Sequence, residues 1–249
     1  MSDSPTPRVA VIGGGVAGLT AATFTARAGF DTAVFTHGES ILRRNAHLEN
    51  VPGFPAGVDA RLFADLLEEQ AERNGARIED DRVVGLEVDD SFRLSLDDGE
   101  RFEFRADYVI VASWADTAYL EAIETIELLD RGSKTYVDVD ECGRTAVDGL
   151  YAAGRIAKKA HQTVVCAGHG AEVAVTLVED SKIPFYHDWV VPEGYFTGRG
   201  REVPPGCEEI DEDERKRRER ASRARMQAAF ETPHPDEPTP HPSLEDGGG

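Results

Sequence analysis

The chain has 249 residues, 40% of them hydrophobic, which is enough for a buried core. Its 47 acidic and 27 basic residues give a formal net charge of −20, which repels nucleic acid and anionic membranes and excludes both as expected partners. No apolar run approaches the roughly 20 residues that span a bilayer, and residues 1–7 lack a basic segment followed by an apolar one, so a cytoplasmic protein is expected. Only five of the basic residues are lysines. Many carboxylates with few lysines suit the cytoplasm of an extreme halophile, where salt screens surface repulsion; an ordinary acidic protein is the alternative. Cys142, Cys166 and Cys207 are widely spaced. They form neither a C-x-x-C pair nor a metal cluster, so free thiols and no metal are expected.

The run Val9-Ala10-Val11-Ile12 is uncharged and ends in glycines at 13, 15 and 18, after which an alanine-rich stretch continues to Gly29. Strand, tight turn and helix are expected. In that setting G-x-G-x-x-G is a dinucleotide-binding fingerprint. The first glycine permits the turn, the second lets the backbone approach a pyrophosphate, and the third lets helix pack on strand, while the helix N-terminus offers free N–H groups. A second parallel strand is expected at 31–36. Its end carries Thr36 and His37 where a carboxylate would normally take ribose hydroxyls, although a threonine hydroxyl can still bond a ribose.

The prolines and glycine of 48–55 predict a loop. Asp59 is placed to cap a helix through Asn74, with Leu62, Phe63, Leu66 and Leu67 in the core. Val84, Leu86 and Val88, then Phe92, Leu94 and Leu96, then Phe102 and Phe104 beyond an Asp98-Gly99 turn alternate as a small antiparallel meander. Residues 108–112 show no alternation and predict a buried parallel strand. Residues 116–132 read as a short helix and a turn, 135–139 and 149–154 as strands, and 163–179 as a helix. Gly168 and Gly170 in that helix suit close approach of a ligand or another backbone.

Composition shifts after Ile183. Phe185, Tyr186, Trp189, Tyr195 and Phe196 crowd a Pro/Gly-punctuated stretch without period, 211–230 is a charged helix, and 231–249 reads as a disordered tail. The acidic residues of the charged helix offset Arg215-Lys216-Arg217-Arg218, so a solvated or partner-packed helix is expected rather than a nucleic-acid arm. The expected organisation is a nucleotide-binding domain over 1–183, an aromatic extension over 184–210, the charged helix and the tail.

Four blocks, in order, resemble the flavin-binding domain of the thioredoxin reductase family: Val11-Ile12-Gly13-Gly14-Gly15 through Gly18, Glu49-Asn50-Val51-Pro52-Gly53-Phe54-Pro55, residues 106–112, and residues 144–154 with the helix after them. The resemblance covers about residues 8 to 180. It implies an α/β fold, a Rossmann-like FAD-binding domain whose parallel sheet carries a small antiparallel meander; composition places an irregular C-terminal extension with one charged helix after it. The resemblance also implies FAD. Pyrophosphate would lie at Gly13, Gly14, Gly15, Val16, Ala17 and Gly18, adenosine near Thr36, His37 and the Val83-Val84 backbone, and isoalloxazine near Asn50, His161, Gln162 and Thr163. Ala112 and Gly154, at the ends of two blocks, would line the same cofactor.

Two departures qualify what the resemblance implies. The family places a complete NADPH-binding domain with a C-x-x-C pair between its two flavin-domain pieces, whereas 22 residues separate Ala112 from Thr135 here, fewer than the roughly 30 of one βαβ unit. Arg155 stands where the family's final motif has an aspartate; it can pair with the pyrophosphate or fill the site and exclude flavin. The expectation is a minimal FAD-dependent oxidoreductase taking electrons from an external donor. The alternatives are a non-catalytic flavin or dinucleotide binder acting through a partner or as a homodimer, and NAD(P) at the same glycine turn. Cys166, in the first turn of a helix, could have a depressed thiol pKa or be a small packing residue. His161 could donate a proton to reduced flavin or be an ordinary loop histidine. The aromatic segment 185–196 could cover an open flavin face or an exposed hydrophobic edge.

Overall fold

The uncharged run of β1 (Arg8–Ile12) is buried from Val9 onward, and a strand with two apolar faces belongs inside a sheet covered on both sides. The computed structural model describes residues 6–97 and 103–240; the expected Asp98-Gly99 turn, Phe102 and the tail from 241 lie outside the described residues. From β1 the chain turns at Gly13 into α1 (Val16–Arg27) and returns as β2 (Asp31–Thr36). It continues through α2 (Ala60–Arg73) to β3 (Arg77–Asp80) and the meander β4 (Val83–Val88), β5 (Phe92–Leu96) and β6 (Glu103–Ala106). There follow β7 (Tyr108–Val111), the hairpin β8 (Leu128–Asp130) and β9 (Thr135–Val137), then β10 (Leu150–Ala152) and α3 (Thr163–Asp180).

The main sheet has the order β10-β7-β1-β2-β3, with every pairing parallel. Construction moves outward from β1 to β3, then jumps to the other side of β1 as β7. That reversal leaves a crevice at the carboxyl ends of β1 and β7, the place where open α/β sheets hold ligands. One face of the sheet packs Ala10, Ile12, Val109 and Val111 against Leu86, Phe92 and Leu94 of the meander. On α1 and α3, a Cβ built at Gly170 would lie 2.2 Å from the Ala17 carbonyl oxygen, so the two helices meet backbone to backbone. The end of α3 is anchored by Asp180, which accepts from Arg144 Nε at 2.7 Å, Arg144 Nη2 at 2.8 Å and Tyr151 Oη at 2.9 Å. The Arg144 guanidinium holds the Asp180 carboxyl below the usual range.

Several local expectations are corrected. Asp59 does cap α2, accepting from the Arg61 and Leu62 amides, but the fully buried positions of α2 are Ala60, Arg61, Ala64 and Ala71. Leu62, Phe63, Leu66 and Leu67 are only half-buried because the face turned inward is the small-residue one. Residues 116–132 hold the expected short helix, of 3-10 type at Ala118–Leu120, but then a strand, β8, in place of a turn. In β4 a register shift between Val83 and Gly85 turns Val84 outward while Val83 and Leu86 stay buried, and Val88 is exposed at the end of the strand.

The described chain divides into two units, one running to Asp180 together with the chain from Pro238, the other Ser181–Glu237. In the second, β11 (Trp189–Pro192) and β12 (Cys207–Ile210) pair in parallel, so the stretch read as lacking a period contains a short ladder. Four-residue strands show no alternation to read. Glu209 accepts from the Gly194 amide at 3.0 Å, the Thr197 amide at 3.0 Å and the Thr197 hydroxyl at 2.7 Å, pinning the connecting loop. α4 (Glu212–Ala229), N-capped by Asp211 through the Glu214 amide, has no buried residue. In the first unit, Thr239 donates its amide to the Arg43 carbonyl at 3.2 Å, and its hydroxyl bonds Glu39.

The two glycines of α3 make opposite demands. A Cβ at Gly168 meets nothing within 4 Å, whereas one at Gly170 strikes backbone. G168A is therefore expected to stabilise the chain by about 0.5–1 kcal/mol through helix propensity. G170A is expected to destabilise it by roughly 1–3 kcal/mol through overpacking despite the same propensity gain; urea unfolding of the two variants measures both.

Candidate functional site

A cavity of ≈ 810 Å³ opens in the crevice beyond β1 and β7, within the roughly 300–1,000 Å³ of small-molecule sites. Gly13, Gly14, Gly15, Val16 and Ala17 line it from the turn after β1, and Thr36 and His37 from the end of β2. Asn50 reaches it from the proline loop, Ala112 from the end of β7, and Arg155, His161, Gln162 and Thr163 from the approach to α3. Asn50 Nδ2 donates to Gln162 Oε1 at 2.8 Å, so the proline loop and the α3 approach close on one another at one end.

The four glycines of the turn answer to different neighbours. A Cβ at Gly13, where φ is +115°, would lie 2.5 Å from the Ala112 carbonyl oxygen, one at Gly14 2.7 Å from Thr36 Oγ1, and one at Gly18 1.9 Å from the Gly13 carbonyl oxygen. Those three are required by the protein itself. Gly15 alone faces open cavity, with Ser40 Oγ at 3.8 Å as its nearest neighbour. Gly15 is also the N-cap of α1 and makes no side-chain cap bond, and the amides of Val16, Ala17 and Gly18 have no acceptor among the described residues. Unsatisfied N–H groups at the positive end of a 12-residue helix, facing a cavity across a glycine, suit an anionic ligand.

Arg155 supplies the second polar feature. Nη2 donates to Tyr136 Oη at 2.7 Å, Nη1 to the Lys159 carbonyl at 3.3 Å, and the guanidinium lies 5.0 Å over the Tyr136 ring. Its Nε is buried without a partner. The guanidinium brings positive charge to the lining of the cavity, while the orphan Nε is itself buried and does not reach the open space.

Three expected positions stand outside the lining. Gly18 is consumed by the contact with Gly13. Val84 is turned outward and 48% exposed, while Asp81, Arg82 and Val83 line the cavity in its place. Gly154, with φ +76°, serves packing, since a Cβ there would lie 2.6 Å from Ala17 Cβ. Cys166 lines the cavity, but burial pushes its thiol pKa up and Sγ lies 3.6 Å from the Ala160 carbonyl oxygen. The thiolate expected of a helix first turn is therefore not favoured; desolvation outweighs the helix terminus. Burial, then Arg155 and Lys134, lower the His161 pKa. Trp114 and Tyr119 also line the cavity; alternation does not reveal them because they follow the end of a strand.

Residues 48–171 match the family described as pyridine nucleotide-disulphide oxidoreductase, and residues 8–47 match the FAD binding domain family. The chain belongs to the thioredoxin reductase-like FAD-dependent pyridine nucleotide-disulphide oxidoreductases. A thioredoxin reductase of Aquifex aeolicus is 36% identical over 110 residues, 43% of this chain and 33% of that protein. A dihydrolipoyl dehydrogenase of Haloferax volcanii is 29% identical over 207 residues, 79% of this chain and 39% of that protein. The structure of a thioredoxin reductase from Gloeobacter violaceus superposes with a TM-score of 0.61 at 16% identity, over 71% of this chain and 96% of that one; at that identity the likeness is one of fold. This flavoprotein spans about a third of the length of the curated relatives it matches. FAD is the cofactor of the family, and the open Gly15 cradle, the free amides of α1 and the positive charge of Arg155 on the lining fit it. No helix among the described residues is long and apolar enough to cross a membrane.

His169, one helical turn beyond Cys166, sets a pH dependence on the flavoprotein's fold. It is 4% exposed, its Nδ1 accepts the Gly154 amide at 2.9 Å, and burial, followed by Lys159, pushes its pKa down to about 4 from 6.5. A histidine held neutral in the fold gives stability that is complete above pH 6.5 and is lost as pH falls toward 4. The loss attributable to this group is about 3 kcal/mol. Chemical denaturation at about pH 7.5 and about pH 4.5 should show a smaller drop in H169N, where the amide oxygen can still accept from Gly154.

Proposed function

We propose that this chain is a minimal FAD-dependent oxidoreductase of thioredoxin reductase-like type, whose flavin is reduced by an electron donor outside the chain. The observation that carries the reading is the cavity wall at Gly15: three unclaimed helix amides behind the one glycine whose Cβ position is open. The pyrophosphate would be held by the amides of Val16, Ala17 and Gly18, and the Arg155 guanidinium would add positive charge to the cavity wall. Thr36, His37 and Val83 would receive the adenosine, and Asn50, His161, Gln162 and Thr163 the isoalloxazine. FAD when bound supplies a two-electron redox centre. The chain's own residues bind and orient it, and α3, which begins at Thr163, points its N-terminus toward that end of the cavity, favouring negative charge there.

The 22 residues between Ala112 and Thr135 are too few for a nicotinamide-binding domain at that place, which supports an external donor. The thioredoxin reductases among its relatives support disulfide-type chemistry for the wider assembly, with the acceptor supplied by another molecule. A second reading, a flavin-binding protein acting through a partner or as a homodimer, is favoured by α4, an 18-residue helix with no buried side chain. The surface charge suits a cytoplasm rich in salt.

Protein purified in concentrated KCl is expected to be yellow and to release about one FAD per chain on heating. G15V, which fills the open cradle, should weaken FAD binding at least about tenfold while leaving the melting temperature of the cofactor-free protein within a few degrees. A colourless protein that takes up no added FAD overturns the proposal. Turnover by the isolated monomer with a diffusible reductant rules against the partner-dependent reading.

A further inference from the structure

A tryptophan occupies backbone that suits glycine. Trp114 has φ 64°, in the left-handed region that L side chains rarely adopt. Its position is not one the core requires, since the side chain is half-buried and belongs to no buried cluster. Instead the ring lines the cavity just past the end of β7. Two other segments brace it. The His161 ring meets it edge-on with centroids 4.3 Å apart at 71°, and Lys134 Nζ lies 5.1 Å from its centroid. The end of β7, the turn before β9 and the approach to α3 thus converge on one indole. Strained backbone held in place by contacts from elsewhere marks a built feature at a site rather than an accident of a loop.

His161 is the neighbour of Gln162, the residue that bonds Asn50, so the indole stands at the cavity end that would receive the isoalloxazine, and its role rests on that reading of the site. A nicotinamide delivering hydride must lie flat on a flavin face with reacting atoms about 3–3.5 Å apart. A flat indole at the same place competes for that face.

We propose that Trp114 is a specificity-determining residue: braced by His161 and Lys134, its indole covers the isoalloxazine face that a nicotinamide ring would need, so the flavin site rejects stacked hydride donors and admits only donors that approach elsewhere. No group is transferred to Trp114. Its role is to occupy space and to stack.

The test uses the full chain loaded with FAD, as wild type, W114F and W114G. Glycine is at ease at φ 64°, so W114G should keep or raise the melting temperature. A stacked indole quenches flavin fluorescence by contact, so emission of bound FAD should rise severalfold in W114G. Anaerobic addition of NADPH should bleach the flavin of W114G at least about tenfold faster than that of wild type, with W114F close to wild type. If FAD binds and its emission is the same in wild type and W114G, or if NADPH bleaches both at one rate, the assignment of Trp114 is overturned while FAD binding stands. If wild type takes up no FAD, this proposal falls together with the flavin reading on which it rests.

Discussion

The carbonyl oxygen of Gly13 lies 1.9 Å from the point where a side chain at residue 18 would begin, and most of the first unit depends on that contact. It brings the first turn of α1 onto the end of β1, which aims the free amides of α1 at the carboxyl end of the sheet. The same closeness lets Ala17 present its carbonyl to Gly170 and its methyl to Gly154, so α3 and the end of β10 are seated against α1 by backbone rather than by side chains. Tolerances of this kind leave no room for compensation by a rotamer change. Helix, sheet and cavity therefore hold one fixed geometry, and a ligand held by backbone amides needs that more than it needs any side chain.

How far the sequence discloses this varies with the range of the interaction. The glycine turn, β1, β2 and α3 are legible because each is set by local pattern: an uncharged run, a spaced set of glycines, an alanine-rich helix. Asp59 as a cap is local too. The half-burial of Leu62 and Leu66 is not, since helical spacing names a hydrophobic stripe but not which face turns inward, and here the buried face carries Ala60 and Ala64, which pack among Leu42, Leu48, Val51 and Val58. The outward turn of Val84 comes from a bulge against Ser95, a fact of pairing. In the candidate site, Gly13, Gly15 and Gly18 are identifiable from spacing, Gly18 already as a packing residue, whereas assigning Gly154 to packing needs the position of Ala17. Trp114 escapes because a single aromatic beyond a strand end has no period at all.

The distribution of labour inside the site is uneven. In the proposed reading the phosphate end is served by amides and one arginine, while the redox end is walled by an aromatic pair and an amide-to-amide bond between Asn50 and Gln162. Cys166 sits between them as a protonated thiol, held so by burial. No side chain there combines a nucleophile with an adjacent base, and the thiol pairs that do disulfide chemistry in an active site have no counterpart among the three free cysteines. In that reading the described residues bring binding geometry and leave electron chemistry to the cofactor.

The central place of β1 in the sheet also governs how the chain is made. Its first partner, β2, follows within some two dozen residues, but its second, β7, pairs Val9 with Tyr108, 99 positions later. At the usual pace of synthesis, about 5–20 residues per second, one edge of β1 stays unpaired for roughly 5 to 20 s. That edge is Val-Ala-Val-Ile, the kind of apolar ribbon that adds to neighbouring chains. Until residues 108–111 arrive, protection of that edge has to come from outside the sheet.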